Sequence, residues 1–352
     1  MIAKIIKEEL IQQVKDEVET LTDIVIVSHL SPDGDAIGSS LAWADFLRCM
    51  EKNVTVILPN AIPGYYKWMP EASGIVVYDD DKALADELIK NAEIIFALDF
   101  NVLKRIGDMG IVVADSPAKK IMVDHHLDPG SFADIVISYP QMSSTSEMIF
   151  RLICRMGYFT DMTKECAECI YVGLMTDTGN FSYNSNNPEL YTIVSELLKK
   201  GIDKDDIHTK VYNNYSECRF RMQGFLLSNR MRIYNESGAA LLWLSKEDLS
   251  KFHYRPGDTE GFVNIPLSIK GIVFSAFLKE DEDKIRVSFR SQGEVAVNQF
   301  AANHFNGGGH KNASGGQLKM PFAEALKYFE EKLPFIAAET KAEKERQIAG
   351  LG

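Results

Sequence analysis

The sequence predicts an α/β protein in two parts: a mainly parallel sheet flanked by helices, then a smaller α/β domain with a mixed sheet. Three observations lead there. Apolar, β-branched runs at about 24–28, 54–58, 94–98, 111–114 and 121–123 alternate with helical or loop segments, as parallel strands joined by crossovers do. A chain of 352 residues is longer than one ordinary core organises. After a polar helical stretch, strand-like runs resume at Ala239–Leu244, Ile272–Leu278 and Lys284–Phe289.

Each element has a local reason. The opening Met1-Ile2-Ala3-Lys4-Ile5-Ile6-Lys7-Glu8-Glu9-Leu10 is charged and amphipathic, hence a helix and not a secretory leader. Helices are expected near 145–157, 163–176 and 188–200, the last entered through Asn187-Pro188, with proline at a helix start, and closed by Gly201. A polar helical segment from Asp205 to about Ser228 bridges to the second domain, where a helix from Glu294 to Phe305 leads into a glycine-rich loop. The last twenty or so residues, rich in Lys, Glu and Ala, read as a frayed helical tail. The expected division is 1–190, a linker over 191–228, a second domain over 229–340 and a tail over 341–352.

Composition narrows the function classes. Hydrophobic residues make up 45% of the chain, but no apolar run approaches the roughly 20 residues that span a membrane. Cys166 and Cys169 have a C-x-x-C spacing, yet they lie in a helical pattern with no second such pair, so the five cysteines read as free thiols of a cytoplasmic protein. A net charge of −12 argues against tight grip on long duplex DNA. The locally basic Lys284–Arg290, followed later by His310 and Lys311, suits a small phosphorylated ligand better than a polymer.

The chemistry-bearing residues stand where apolar segments end. Ile24–Val27 runs into His29-Leu30-Ser31-Pro32-Asp33-Gly34-Asp35; Ile94–Leu98 ends on Asp99; Ile121–Val123 ends on Asp124-His125-His126; and Cys169–Met175 runs out at Thr176-Asp177. A lone acid at such an end usually caps a helix. Four ends bearing acids, two of them also bearing histidine, describe a metal site instead. Carboxylate and imidazole donors without thiolate suit manganese, magnesium or iron better than structural zinc. Two-metal phosphate-ester cleavage holds its ions about 3.5–4 Å apart, so one carboxylate bridges them, and the isolated Asp99 is the candidate. Gly34 is expected to allow Asp33 and Asp35 to aim at different ions through dihedrals other residues resist.

Taken in order, His29-x-x-x-Asp33-x-Asp35, Asp99, Asp124-His125-His126 and Asp177 resemble the four motifs of the DHH phosphoesterases. Gly307-Gly308-Gly309-His310 with Asn312-Ala313-Ser314-Gly315 resembles the signature of the DHH-associated C-terminal domain. The likeness runs from about Leu21 to about Leu333 and is strongest to the bacterial nanoRNase and pAp (3′-phosphoadenosine 5′-phosphate) phosphatase group. It implies two divalent ions, Mn2+ foremost with Mg2+ or Co2+ as alternatives, and an active-site cleft between the domains. His29 and Asp33 would hold one ion with Asp99; Asp35, His125 and Asp177 would hold the second with Asp99. His126 would stabilise charge or protonate the leaving oxygen, and Asp124 would orient an imidazole. Arg290 matches the phosphate-binding arginine, Gly307, Gly308, Gly309 and His310 a phosphate clamp, and Arg105 would reach in from the first domain. Short single-stranded RNA or pAp is the implied substrate, with a homodimer left open. Cyclic- or linear-dinucleotide phosphodiesterases and RecJ-like single-strand exonucleases share the metal motifs and stay as alternatives. A non-catalytic nucleotide sensor is more distant, because no ligand position is missing.

Overall fold

The structure, a computed structural model, describes residues 4–350. The chain divides into two compact units, Met1–Asn214 and Tyr215–Gly352. The division falls inside the segment expected to act as a linker, whose first two helices belong to the first unit and whose third belongs to the second.

The first unit runs α1 (Glu8–Thr20), β1 (Asp23–Val27), α2 (Gly34–Cys49), β2 (Asn53–Leu58), β3 (Val76–Val77), α3 (Lys82–Asn91), β4 (Ile94–Leu98), α4 (Met109–Asp115), β5 (Lys119–Asp124), β6 (Ile135–Ser138), α5 (Thr145–Arg155), α6 (Lys164–Asp177), α7 (Pro188–Lys199) and α8 (Lys204–Tyr212). The start of the expected leading helix, Met1–Ala3, lies outside the described residues. Its six strands are parallel in the order β3-β2-β1-β4-β5-β6. Alternate residues of each central strand enter opposite cores. Ile24, Ile26, Phe96, Leu98, Ile121 and Val123 pack with α1, α2, α5 and α6, whereas Val25, Val27, Ile95, Ala97 and Met122 pack with α3 and α4. Both faces are therefore covered, which is why these strands read as unbroken apolar runs. Strand order reverses between β1 and β4, the place where open parallel sheets receive ligands at their carboxyl ends.

Helix α2 is buried on nearly every side, and it meets α6 closely: a Cβ on Gly38 would stand 2.5 Å from the Cys169 carbonyl oxygen. The run 111–114, expected as a strand, lies in α4 instead. Met109, Gly110 and Val113 are its buried residues while Ile111 is 67% exposed, a helical spacing that the three β-branched residues conceal. Cys166 and Cys169 are free, buried thiols, their pKa values raised first of all by burial. No helix among the described residues is long and apolar enough to cross a membrane.

The second unit runs α9 (Glu217–Asn229), β7 (Met231–Tyr234), β8 (Ala239–Leu244), α10 (Lys246–Lys251), β9 (Phe274–Glu280), β10 (Ile285–Ser291), α11 (Val297–His304), β11 (Gly308–His310), β12 (Ala313–Leu318), α12 (Phe322–Lys332) and α13 (Pro334–Gly350). Its sheet, ordered β11-β12-β10-β9-β8-β7, is mixed, with β8 and β9 parallel and the other pairs antiparallel. On β10, Ile285, Val287 and Phe289 enter the core, so Arg286, Ser288 and Arg290 take the other face. The expected frayed tail is α13, which buries Ile336, Thr340 and Glu343 and so is anchored. Leu351 and Gly352 lie outside the described residues.

Candidate metal centre

The carboxyl ends of β1, β4 and β5 bring His29, Asp99 and His125 together. The first turn of α2 adds Asp33 and Asp35, and the last residue of α6 adds Asp177. Two sets of donors result: ligand atoms of His29, Asp33 and Asp99 lie within 4.8 Å of one another, as do those of Asp35, His125 and Asp177. Asp99 faces both. Its Oδ2 stands 3.3 Å from His29 Nε2 and its Oδ1 3.5 Å from His125 Nε2. His125 Nε2 is also 3.2 Å from Asp177 Oδ2 and 3.9 Å from Asp35 Oδ2. His29 Nε2 is 3.9 Å from Asp33 Oδ1.

The backbone serves this convergence. Asp99 follows directly on β4 with φ of +64°, a left-handed conformation that costs energy outside glycine and that clusters at functional sites. Asp33 is the N-cap of α2, accepting from the amides of Asp35 and Ala36 at 3.0 Å each. Asp177 ends α6, where the helix dipole disfavours a carboxylate, so its placement calls for a cation. Gly34 is needed for a reason other than the one expected. Its φ is not left-handed; instead a Cβ there would collide with the Oγ1, Cγ2 and Cβ atoms of Thr176. Close approach of α2 and α6 demands the glycine.

Hydrogen bonding fixes the rings. His29 Nδ1 lies 2.9 Å from the Leu30 carbonyl and His125 Nδ1 3.2 Å from the Met142 carbonyl. Carbonyls only accept, so each Nδ1 carries a proton; Nε2, which faces the carboxylates and donates to Asp99, is the nitrogen left to ligate a metal once its own proton is given up. His126 is held differently: its Nδ1 donates to Asp124 Oδ1 at 2.6 Å, and its amide donates to Asp124 Oδ2 at 3.0 Å.

Crowding makes the site a cation trap. Burial, then the charges of Asp99 and Asp177, push Asp35 well above the ordinary carboxylate range. Burial pushes Asp177 up to about 7, against the pull of His125. Burial opposes a proton on His125, yet Asp177, Asp99 and Asp35 hold its pKa well above the ordinary value. Burial also acts against ionised Asp99, but hydrogen bonds from His125 and His29 keep it well below that range. Protons thus stand in for positive charge among four acids. Oxygen and imidazole donors in this number fit two hard divalent ions, which would relieve the same repulsion.

A run passed over by sequence reasoning completes the centre. Ser143-Ser144-Thr145-Ser146-Glu147 is buried throughout and delivers the N-terminus of α5 to the acids. The amides of Thr145 and Ser146 donate to Asp35 Oδ2 and Oδ1 at 2.6 and 2.8 Å, and Thr145 Oγ1 donates to Asp99 Oδ1 at 2.9 Å. The available signal was a row of hydroxyls ahead of an S-x-x-E start, which reads as a simple cap.

Of the other expected residues, Arg105 lies in the 3₁₀ turn Leu103–Ile106, where its carbonyl accepts from the Leu30 amide at 2.8 Å; burial and, more weakly, the Arg105 charge oppose a proton on His29, but Asp99 and Asp33 hold its pKa above the ordinary value. Arg290, Gly307, Gly308, Gly309 and His310 belong to the second unit. Arg290 and His310 both register with Ala313, one on each side of β12, so the two side chains leave the same face over a small residue. Gly308 and Gly309 lie in the short edge strand β11, with Gly307 just before it. Gly307 packs against Gly315 and Gly316, Gly309 against Ala313 and Ser314, and Gly308 alone has open space where a Cβ would be.

A six-stranded parallel sheet with carboxylates and histidines gathered at its strand-order reversal, followed by a mixed-sheet unit, defines a two-part phosphoesterase-type architecture. Residues 23–174 match the DHH family, N-terminal domain, and residues 240–339 match the DHHA1 domain. The chain belongs to the DHH family. It is 29% identical over 298 residues to the bifunctional oligoribonuclease and PAP phosphatase NrnA of Bacillus subtilis, covering 84% of this chain and 89% of that protein. A crystal structure from Bacteroides fragilis, described as an exopolyphosphatase-related protein, is 55% identical with a TM-score of 0.93, covering 96% of this chain and 99% of that one. RecJ of Thermus thermophilus with Mn2+ shares the fold at 13% identity and a TM-score of 0.51, covering 98% of this chain and 56% of that one.

Proposed function

We propose that the protein is a two-metal phosphoesterase that hydrolyses short oligoribonucleotides to mononucleotides and dephosphorylates pAp to AMP. The observation that carries this reading is Asp99, whose two oxygens address two separate donor sets at 3.3 and 3.5 Å. His29, Asp33 and Asp99 would hold one ion, and Asp99, Asp35, His125 and Asp177 the other, with Mn2+ the ion best suited to these donors. Bound there, the ions neutralise phosphate charge and acidify water at neutral pH. Asp124 accepts from His126 Nδ1 and fixes the orientation of the ring, so that His126 would be placed to protonate the leaving oxygen. The row of Arg290, Ala313 and His310 would receive a phosphate of the substrate, with a guanidinium and an imidazole on either side of a methyl group. Names of similar proteins support the substrate class, and a net charge of −12 disfavours long duplexes.

The test measures product release with Mn2+, and with chelator as control, on pAp, RNA of two to five nucleotides, long RNA, a cyclic dinucleotide, pyrophosphate and polyphosphate. Metal-dependent turnover of pAp and short RNA, with long RNA spared, is expected. Preference for polyphosphate, the compound class named for the Bacteroides relative, would keep the metal chemistry and overturn the substrate. Asp99→Ala should abolish turnover and bind fewer than two ions per chain; two ions retained would overturn the bridge.

A further inference from the structure

We propose that Thr145 is the positioning residue that aims the bridging carboxylate and ties both ion positions to one point on α5. This rests on the two-metal reading above. Thr145 is fully buried and touches ligands of both donor sets: Oγ1 donates to Asp99 Oδ1 at 2.9 Å, and its amide donates to Asp35 Oδ2 at 2.6 Å. A hydroxyl has one proton to give, and here it goes to the bridge. The histidines cannot take over that task. His29 and His125 face Asp99 through Nε2, the atoms that would turn to metal if ions bound, whereas the Thr145 hydroxyl is in neither donor set and would not have to give up its bond to Asp99.

The residue is itself held rigidly. Glu147 reaches back to the amide and hydroxyl of Ser143 at 2.9 and 2.7 Å, while Ser144 Oγ caps the Glu147 amide at 3.0 Å. Arg151, 2% exposed, donates to Glu147 at 2.9 and 2.7 Å and to Glu189 at 2.8 Å. Breaking such a buried charge network is costly, so the turn before α5 has little freedom to drift. Thr145 thus presents its hydroxyl from a fixed frame, as a partner that orients a metal ligand must.

The hydroxyl and the methyl group can be separated by substitution. Thr145→Val keeps the shape and removes the donor; Thr145→Ser keeps the donor and removes the methyl; Thr145→Ala removes both and cannot overpack. Mn2+ binding is read by electron paramagnetic resonance of the free ion, and folding by circular dichroism of metal-free protein. Thr145→Val and Thr145→Ala should bind Mn2+ about 10- to 100-fold more weakly, the range seen when a partner of a metal ligand is lost. Thr145→Ser should stay within about threefold of wild type, since it retains the donor. Wild-type affinity in the valine and alanine variants overturns the proposal, and so does a serine variant as weak as the alanine one, because packing would then be the cause. Wild-type protein that binds no Mn2+ would instead overturn the two-metal reading on which it stands.

Discussion

At Gly34 the absence of one carbon decides how two helices meet. Asp33 caps α2 and Asp35 sits in its first turn, so any shift of that turn moves two proposed ligands at once. An added Cβ would run into the side chain of Thr176, whose β-branch gives it little rotamer freedom in a helix. Gly34→Ala should therefore destabilise the fold by about 1–3 kcal/mol, the usual cost of overpacking. It should weaken Mn2+ binding as well, checked by thermal unfolding and a metal titration on the same preparation. Unchanged Mn2+ affinity would show that the two helices can part without disturbing the acids. The sequence marked this glycine but gave the wrong reason, because the spacing of Asp33 and Asp35 is visible in one segment and Thr176 lies far along the chain. The proposed ligands were legible for a chemical reason: one acid at the end of an apolar run is an ordinary cap, but four such ends, two of them also bearing histidine, are more than capping needs. Thr145 was not, since a hydroxyl carries no charge and its target is known only once α5 is laid against β4.

Elements were readable in proportion to how far their pattern extends beyond a few residues. Strands β1, β4 and β5 pack both faces and show as unbroken apolar runs, whereas Ile111-Val112-Val113 is too short to reveal its helical period. Helix α13 was expected as a helix but as a frayed one, because Lys, Glu and Ala dominate its sequence and two of its three buried positions, Thr340 and Glu343, are polar. Those positions are specific: Glu343 accepts from the Glu294 amide at 3.3 Å and pairs with Arg346 at 3.0 Å, while Glu339 accepts from the Ala296 amide at 3.0 Å. The helix thereby braces the segment between Arg290 on β10 and the start of α11. Glu343→Ala should cost on the order of 1 kcal/mol, the net worth of a typical intramolecular hydrogen bond. Calorimetry should register this as a fall of about 3 °C in the transition of the second unit. Mn2+ binding should stay at the wild-type level, because no proposed ligand lies in that unit. A fall in Mn2+ affinity would count against this separation of roles.

At the scale of the whole molecule, each unit has its own cores, and the buried charge is concentrated in the first. That asymmetry makes stability depend on pH and metal together. In metal-free protein Asp177 holds its proton up to about pH 7, whereas in the unfolded chain it ionises near its ordinary 3.8. Between those values the folded form binds more protons, so stability falls as pH rises. His125 acts in the same sense: its pKa lies above the ordinary 6.5, so the stability it adds is complete below that value and is lost as pH climbs through the folded one. Asp99, held low, contributes above its ordinary 3.8 and is constant across this range. The first unit without metal should thus melt at a lower temperature at pH 8 than at pH 5.5, with the second unit far less affected. On the proposed two-metal reading Mn2+ would replace the protons as counter-charge and would bind only deprotonated ligands, so its stabilising effect should be larger at pH 8. At a hundredfold excess over the dissociation constant it should add about 2.7 kcal/mol per ion to the first unit alone. Calorimetric scans at both pH values, with and without Mn2+, test this directly. A metal-free first unit that is more stable at pH 8, or an equal Mn2+ shift at both values, would mean that the acids are not sharing protons in the way their packing requires.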